Sequence, residues 1–106
     1  MELMELIEWL LDKIDDELHD SKKYAKVALL IRDDRSKISR VLYENSLEEM
    51  EHMNRLHNII VEIIEEYRKT EGEPSAEMLA SYKRIHEKHI KKAAKVKSMQ
   101  DMYKAG

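Results

Sequence analysis

Apolar residues recur at alternating three- and four-residue steps in three long stretches, separated by two short polar breaks. The first stretch, about 2–31, sets Leu3, Ile7, Leu10, Ile14, Ala28 and Ile31 in one register, with Glu17, Ser21 and Tyr24 on the same stripe. Such spacing predicts a helix with one buried face. Asp33-Asp34 followed by Ser36 offers cap residues without a helical pattern, which predicts a tight turn. The second stretch, about 36–69, reads Ile38, Leu42, Asn45, Glu49, His52, Leu56, Ile60, Ile63 and Tyr67, with Met53 beside His52. Gly72 suits the residue after a helix end, and Pro74 and Ser75 suit a helix start. The third stretch, about 75–103, reads Leu79, Tyr82, His86, His89, Ala93, Val96, Gln100 and Tyr103.

At 1.5 Å per residue the first two helices would each be roughly 45–50 Å long. A short turn between them predicts an antiparallel hairpin. Two helices enclose no core, and one further helix covers only part of the remaining apolar surface. The expected architecture is therefore all-α: a single helical domain over residues 1–106, built as a long hairpin plus a third helix. Two hairpins would pair into a four-helix bundle as a homodimer or within a higher homo-oligomer.

Composition narrows the alternatives. Two Gly and one Pro in 106 residues are too few turn formers for a β-sandwich or an α/β fold. The absence of cysteine excludes disulfides, thiolate metal sites and a cysteine nucleophile. Apolar runs of only a few residues predict no membrane span, and the start MELMELIEWLLDKIDD lacks a basic signal-peptide region, so the cytoplasm is the expected location. The net charge of −3 conceals an asymmetry. Residues 1–71 carry 11 Lys/Arg against 18 Asp/Glu, whereas residues 72–106 carry 8 against 4, seven of the basic residues lying between Lys83 and Lys97. A basic third helix could meet nucleic acid or an anionic membrane, or complement the acidic first part within or between subunits.

The stripes break at polar residues, and there the chemistry concentrates. Glu17 interrupts the first stripe; Asn45, Glu49 and His52 interrupt the second. A carboxylate in the core register needs a partner, a proton or a metal. Glu49 and His52 are three residues apart and so share a helical face. A carboxylate and an imidazole at that spacing suit iron, manganese or zinc. The other reading of Glu-x-x-His is a solvated charged face, since Glu-rich helices produce the motif by chance. A core-register carboxylate on the preceding helix and the coincidence of the motif with the apolar stripe favour the metal. Such a set is half of that in di-iron carboxylate bundles.

Glu17 followed by Tyr24, then NSLEEMEH at 45–52, resembles the first half of the ferritin-like superfamily. Rubrerythrins are similar in the helix-one Glu with Tyr and in Glu-x-x-His. The half-length encapsulated ferritins are similar in those features and in Asn-x-x-x-Glu-Glu-x-Glu-His. The likeness covers about residues 3–67. It implies a ferritin-like bundle in which Glu17, Glu49 and His52 ligate iron, Glu49 bridging, with Tyr24 close to the metals. It also implies oxidation of Fe(II) by O₂ or peroxide, of ferroxidase or rubrerythrin-like peroxidase type.

The chain departs from the full-length pattern. Its third helix has no Glu-x-x-His and no fourth helix follows, so one chain offers three ligands, too few for two irons. A two-fold dimer would double the set and hold two irons, as the half-length relatives do; an encapsulating shell is compatible but has no signal in residues 98–106. His86 and His89 are further candidate ligands, or an iron entry route, set against an ordinary place in a helix interface. His19 and His57 fall off the ligand stripes and read as surface residues. The methionines read as core filling, and Trp9 as a core or interface anchor. The competing functions are a non-catalytic helical oligomer, with a vestigial or zinc-filled site, and an anion- or nucleic-acid-binding module using the basic helix. Nucleic acid is not the expected partner, since basic residues occupy several helical faces with few aromatics for stacking. No nucleophile–base pair, phosphate loop or hydrolase motif is present.

Overall fold

Two breaks divide the chain into three helices and nothing else. The computed structural model describes residues 1–106, with α1 at Leu3–Ile31, α2 at Ser36–Thr70 and α3 at Ala76–Ala105. No helix is long and apolar enough to cross a membrane. Ser75 caps α3, its hydroxyl accepting the Met78 N–H at 3.2 Å. Gly72, between α2 and α3, has φ +89°, a backbone conformation that a Cβ disfavours. At the other end, the Arg32 guanidinium donates to the Met102 and Tyr103 carbonyls at 3.1 and 3.3 Å. It satisfies two of the acceptors that a helix C-terminus leaves unpaired.

The buried positions follow a strict seven-residue step. On α1 they are Ile7, Ile14, Ser21 and Ala28, with Leu11, Leu18 and Ala25 alongside and Leu10 the one buried residue outside both series; on α2 they are Ser39, Ser46, Met53 and Ile60. A 3.5-residue period keeps one seam facing the neighbouring helix over many turns. Over the first half of α2 the seam lies one residue beyond the expected stripe, because Ser39 and Ser46 are inside while Ile38 is exposed and Asn45 only partly covered; Met53 and Ile60 are buried as the sequence pattern places them. Small residues explain the shift: serines let the two backbones approach where larger side chains could not. Ser21 Oγ donates to the Ser46 carbonyl at 2.7 Å and Ser46 Oγ donates to the Ser21 carbonyl at 2.8 Å. Gln100 of α3 donates its amide N–H to Ser46 Oγ at 2.9 Å, so all three helices meet in one buried polar knot. The apolar core lies to one side of it, around Ile7, Leu10, Leu11, Ile14, Leu18, Met53 and Ile60.

α3 packs mainly on α1 and touches α2 much less. The result is a rod of 55 × 21 × 17 Å with a radius of gyration of 16.7 Å, against about 13 Å for a globular chain of this length. Its accessible surface, 7585 Å², exceeds the roughly 6,200 Å² of a compact monomer of this mass. Only 15 of 106 residues are buried, so much apolar surface stays open, including Ile38, Val41 and Ile59 on α2 and Trp9 and Val27 on α1. Trp9 is half exposed, with the Lys13 ammonium 5.8 Å from its ring, and is no core residue.

Candidate metal centre

Glu17 from α1 and Glu49 and His52 from α2 converge at the helix interface. Their donor atoms all lie within 4.8 Å of one another, the one such group of three in the molecule. His52 Nδ1 is 3.6 Å from Glu17 Oε2 and 3.9 Å from Glu49 Oε1, beyond hydrogen-bond reach of both. The local reason is helical register. Glu17 sits three residues after Ile14 and four before Ser21, hence beside the seam, and it faces the one turn of α2 that carries both Glu49 and His52.

The site is covered on one side and open on the other. The Glu17 and Glu49 side chains are 19% and 21% exposed, and that of His52 is 48% exposed. Glu17 Oε2 is buried and has no hydrogen-bond partner. A buried carboxylate oxygen without a donor is costly, and a cation is the simplest group to satisfy it. Two carboxylates and one imidazole suit a hard to borderline divalent metal, so the residues present fit iron and also admit manganese or zinc. The three donors are fewer than a two-metal site requires, and the open side lies at His52. In the same α2 register, Ile38 and Val41 are 51% and 55% exposed, and Ile59 continues the line beyond His52. Tyr24 is partly buried two turns along α1 from Glu17.

His86 and His89 stand apart from this group. His86 stacks between His57 (ring centroids 4.7 Å) and Tyr82 (5.7 Å), all three rings nearly parallel. His57 is thus partly buried in a helix contact rather than free on the surface, since it lies one turn beyond the seam residue Met53. Burial pushes its pKa down, and His86 adds to the effect. His89 is buried, with Nε2 3.7 Å from Asp15 Oδ1. Burial lowers its pKa most; Asp15 opposes, while Lys92, His86 and His57 lower it further. Burial also raises the Tyr82 pKa. His19 is exposed.

The serine–glutamine knot was only half visible in the sequence. Ser21 and Gln100 fall on the stripes, but Ser46 hides one residue past Asn45. No protein-family model matches the chain, and comparison with curated proteins and with solved structures gives no match either.

Proposed function

We propose that the chain is half of a ferritin-like di-iron protein, in which two antiparallel hairpins pair so that two copies of the Glu17–Glu49–His52 group face each other. The observation that carries this reading is the buried, unpartnered Glu17 Oε2 converging with Glu49 and His52. A two-fold pair would bring four carboxylates and two imidazoles together, a set that holds two metals where one chain cannot. The exposed Ile38, Val41 and Ile59, which flank His52 along this face of α2, are apolar residues that such a pairing would cover. The excess of accessible surface over that of a compact monomer supports the same reading.

The chain's own residues have distinct tasks. Glu17 and Glu49 supply negative charge, which favours the higher oxidation state of a bound metal. Glu49, in the position of the family's bridging carboxylate, would keep two metals close. His52 supplies the neutral nitrogen donor. The partly buried Tyr24, on the same α1 face as Glu17, would border the site. Iron bound there would supply redox chemistry toward O₂ or peroxide. Storage of the product would need a separate compartment, since a rod-shaped pair encloses no volume.

Anaerobic titration with Fe(II), with molar mass from light scattering and absorbance recorded after air is admitted, tests this reading. Two irons per dimer and a ferric charge-transfer band are expected. A folded protein that takes up no iron, or binds it as a monomer, would overturn it.

A further inference from the structure

The basic residues of α3 find a use that the metal centre does not give them. Arg84, Lys88, Lys91 and Lys95 are all exposed, and none of them forms an ion pair. Their three- and four-residue steps place them in one line on the outer face of α3, roughly 16 Å long at 1.5 Å per residue, with the exposed Glu87, between Arg84 and Lys91, the one carboxylate of α3 beside it. Two other lysines of the helix are occupied, Lys92 with Asp15 and Lys97 with Asp101. Beside the line, between α1 and α3, lies a cavity of about 190 Å³ lined by Asp15, His19, Lys22, Lys92, Lys95 and Val96. Its one carboxylate is already held by Lys92 and lies against His89. Lys22 therefore carries the basic surface from α3 onto α1.

We propose that this α1–α3 edge binds the phosphate backbone of a nucleic-acid duplex without reading its sequence. A line of solvated lysines is what phosphate neutralisation uses, because each contact releases condensed counterions. Protein interfaces, by contrast, are depleted in lysine. A membrane surface fits less well: the exposed Ile90 projects from another face of α3, and the one large apolar residue that continues the line, the exposed Met102 two turns beyond Lys95, is too little to anchor the helix in a bilayer. Single strands are disfavoured too, since Tyr82 and Tyr103 stack inside the bundle and leave the line without an aromatic platform. The surface lies away from Glu17, Glu49 and His52, and the proposal stands or falls independently of iron binding.

The test is fluorescence anisotropy of a labelled random-sequence duplex of about 25 base pairs with the full chain at 50 and 200 mM salt. Four phosphate contacts give a slope near −3.6 in log K against log salt, hence roughly a 150-fold loss of affinity across that range. The variant K88Q/K91Q/K95Q should weaken binding at least tenfold. A control that removes the same charge elsewhere, K37Q/K69Q/K104Q, should retain it, with circular dichroism confirming helix content in both. No binding at 50 mM salt would overturn the proposal. So would equal losses in the two variants, which would mean net charge rather than a surface. Tighter capture by phosphatidylserine vesicles, or by a single strand of equal length, would assign the surface to those partners instead.

Discussion

Replacing Glu17 by Met should make the metal-free protein more stable while abolishing its response to metal. In the chelated state, Glu17 Oε2 is a desolvated acceptor with no donor. Such an atom costs about 1–3 kcal/mol. Met has a similar length and no polar atom, so it removes that cost and adds apolar contact at the seam. The loss on the other side is small: His52 lies 3.6 Å away and is half exposed, so its attraction to Glu17 is worth less than about 1 kcal/mol. The balance favours the variant by about 1–2 kcal/mol, or roughly 5–15 °C in Tm for a domain of this size. Metal at a hundredfold excess over its Kd would stabilise the wild type by about 2.7 kcal/mol. Thermal melts followed by circular dichroism, at equal protein concentration in chelator and under anaerobic Fe(II), separate the two effects. A variant that melts below wild type in chelator would show that the carboxylate is paired and structural. A variant that keeps the metal-induced rise would remove Glu17 from the site.

Three further predictions address the rest of the molecule. Val41→Glu together with Ile59→Glu should hold the protein as a monomer of unchanged helix content, because both residues lie on the exposed α2 line; sedimentation that still shows a pair would place the interface elsewhere. Ile60→Ala, at a fully buried seam position, should cost 2–5 kcal/mol in urea unfolding, and a loss under 1 kcal/mol would mean that the seam is loosely packed. Acid should loosen the contact of α3 with α1 and α2. His57 and His89 have pKa values pushed below 6.5, so the unfolded chain binds more protons than the folded one as pH falls. The stability they support is complete above pH 6.5 and declines below it toward the lowered folded values. The groups facing them are His86, Tyr82 and Lys92 on α3 and Asp15 on α1. Urea midpoints between pH 7.5 and 5.5 should fall, and less so in His89→Gln; NMR titration giving both histidines values at or above 6.5 would refute the argument.

Secondary structure was legible in the sequence because its determinants are local. The three- and four-residue step of apolar residues, Asp33-Asp34 between the first two stretches and Gly72 with Pro74 before the third are read within a few residues of one another. The Glu49–His52 pair was legible for the same reason, since one turn of helix brings both to one face. Heptad register was less legible. Met53 and Ile60 fall where the pattern puts them; in the first half of α2, Ile38 and Asn45 look like the inner line, yet that line is Ser39 and Ser46. Close approach of two backbones rewards small hydrogen-bonded side chains, and only the partner helix reveals that reward. Likewise, nothing local to His57 announces that His86, 29 residues later, will stack on it. The types of residue determined the helices, their ends and a carboxylate–imidazole pair on one helix face; the packing of α1, α2 and α3 decided which carboxylate is desolvated, which histidines are pushed toward the neutral form and which lysines remain in solvent. Propensity and periodicity act within a few turns of chain, whereas desolvation depends on whatever distant residue folding places alongside.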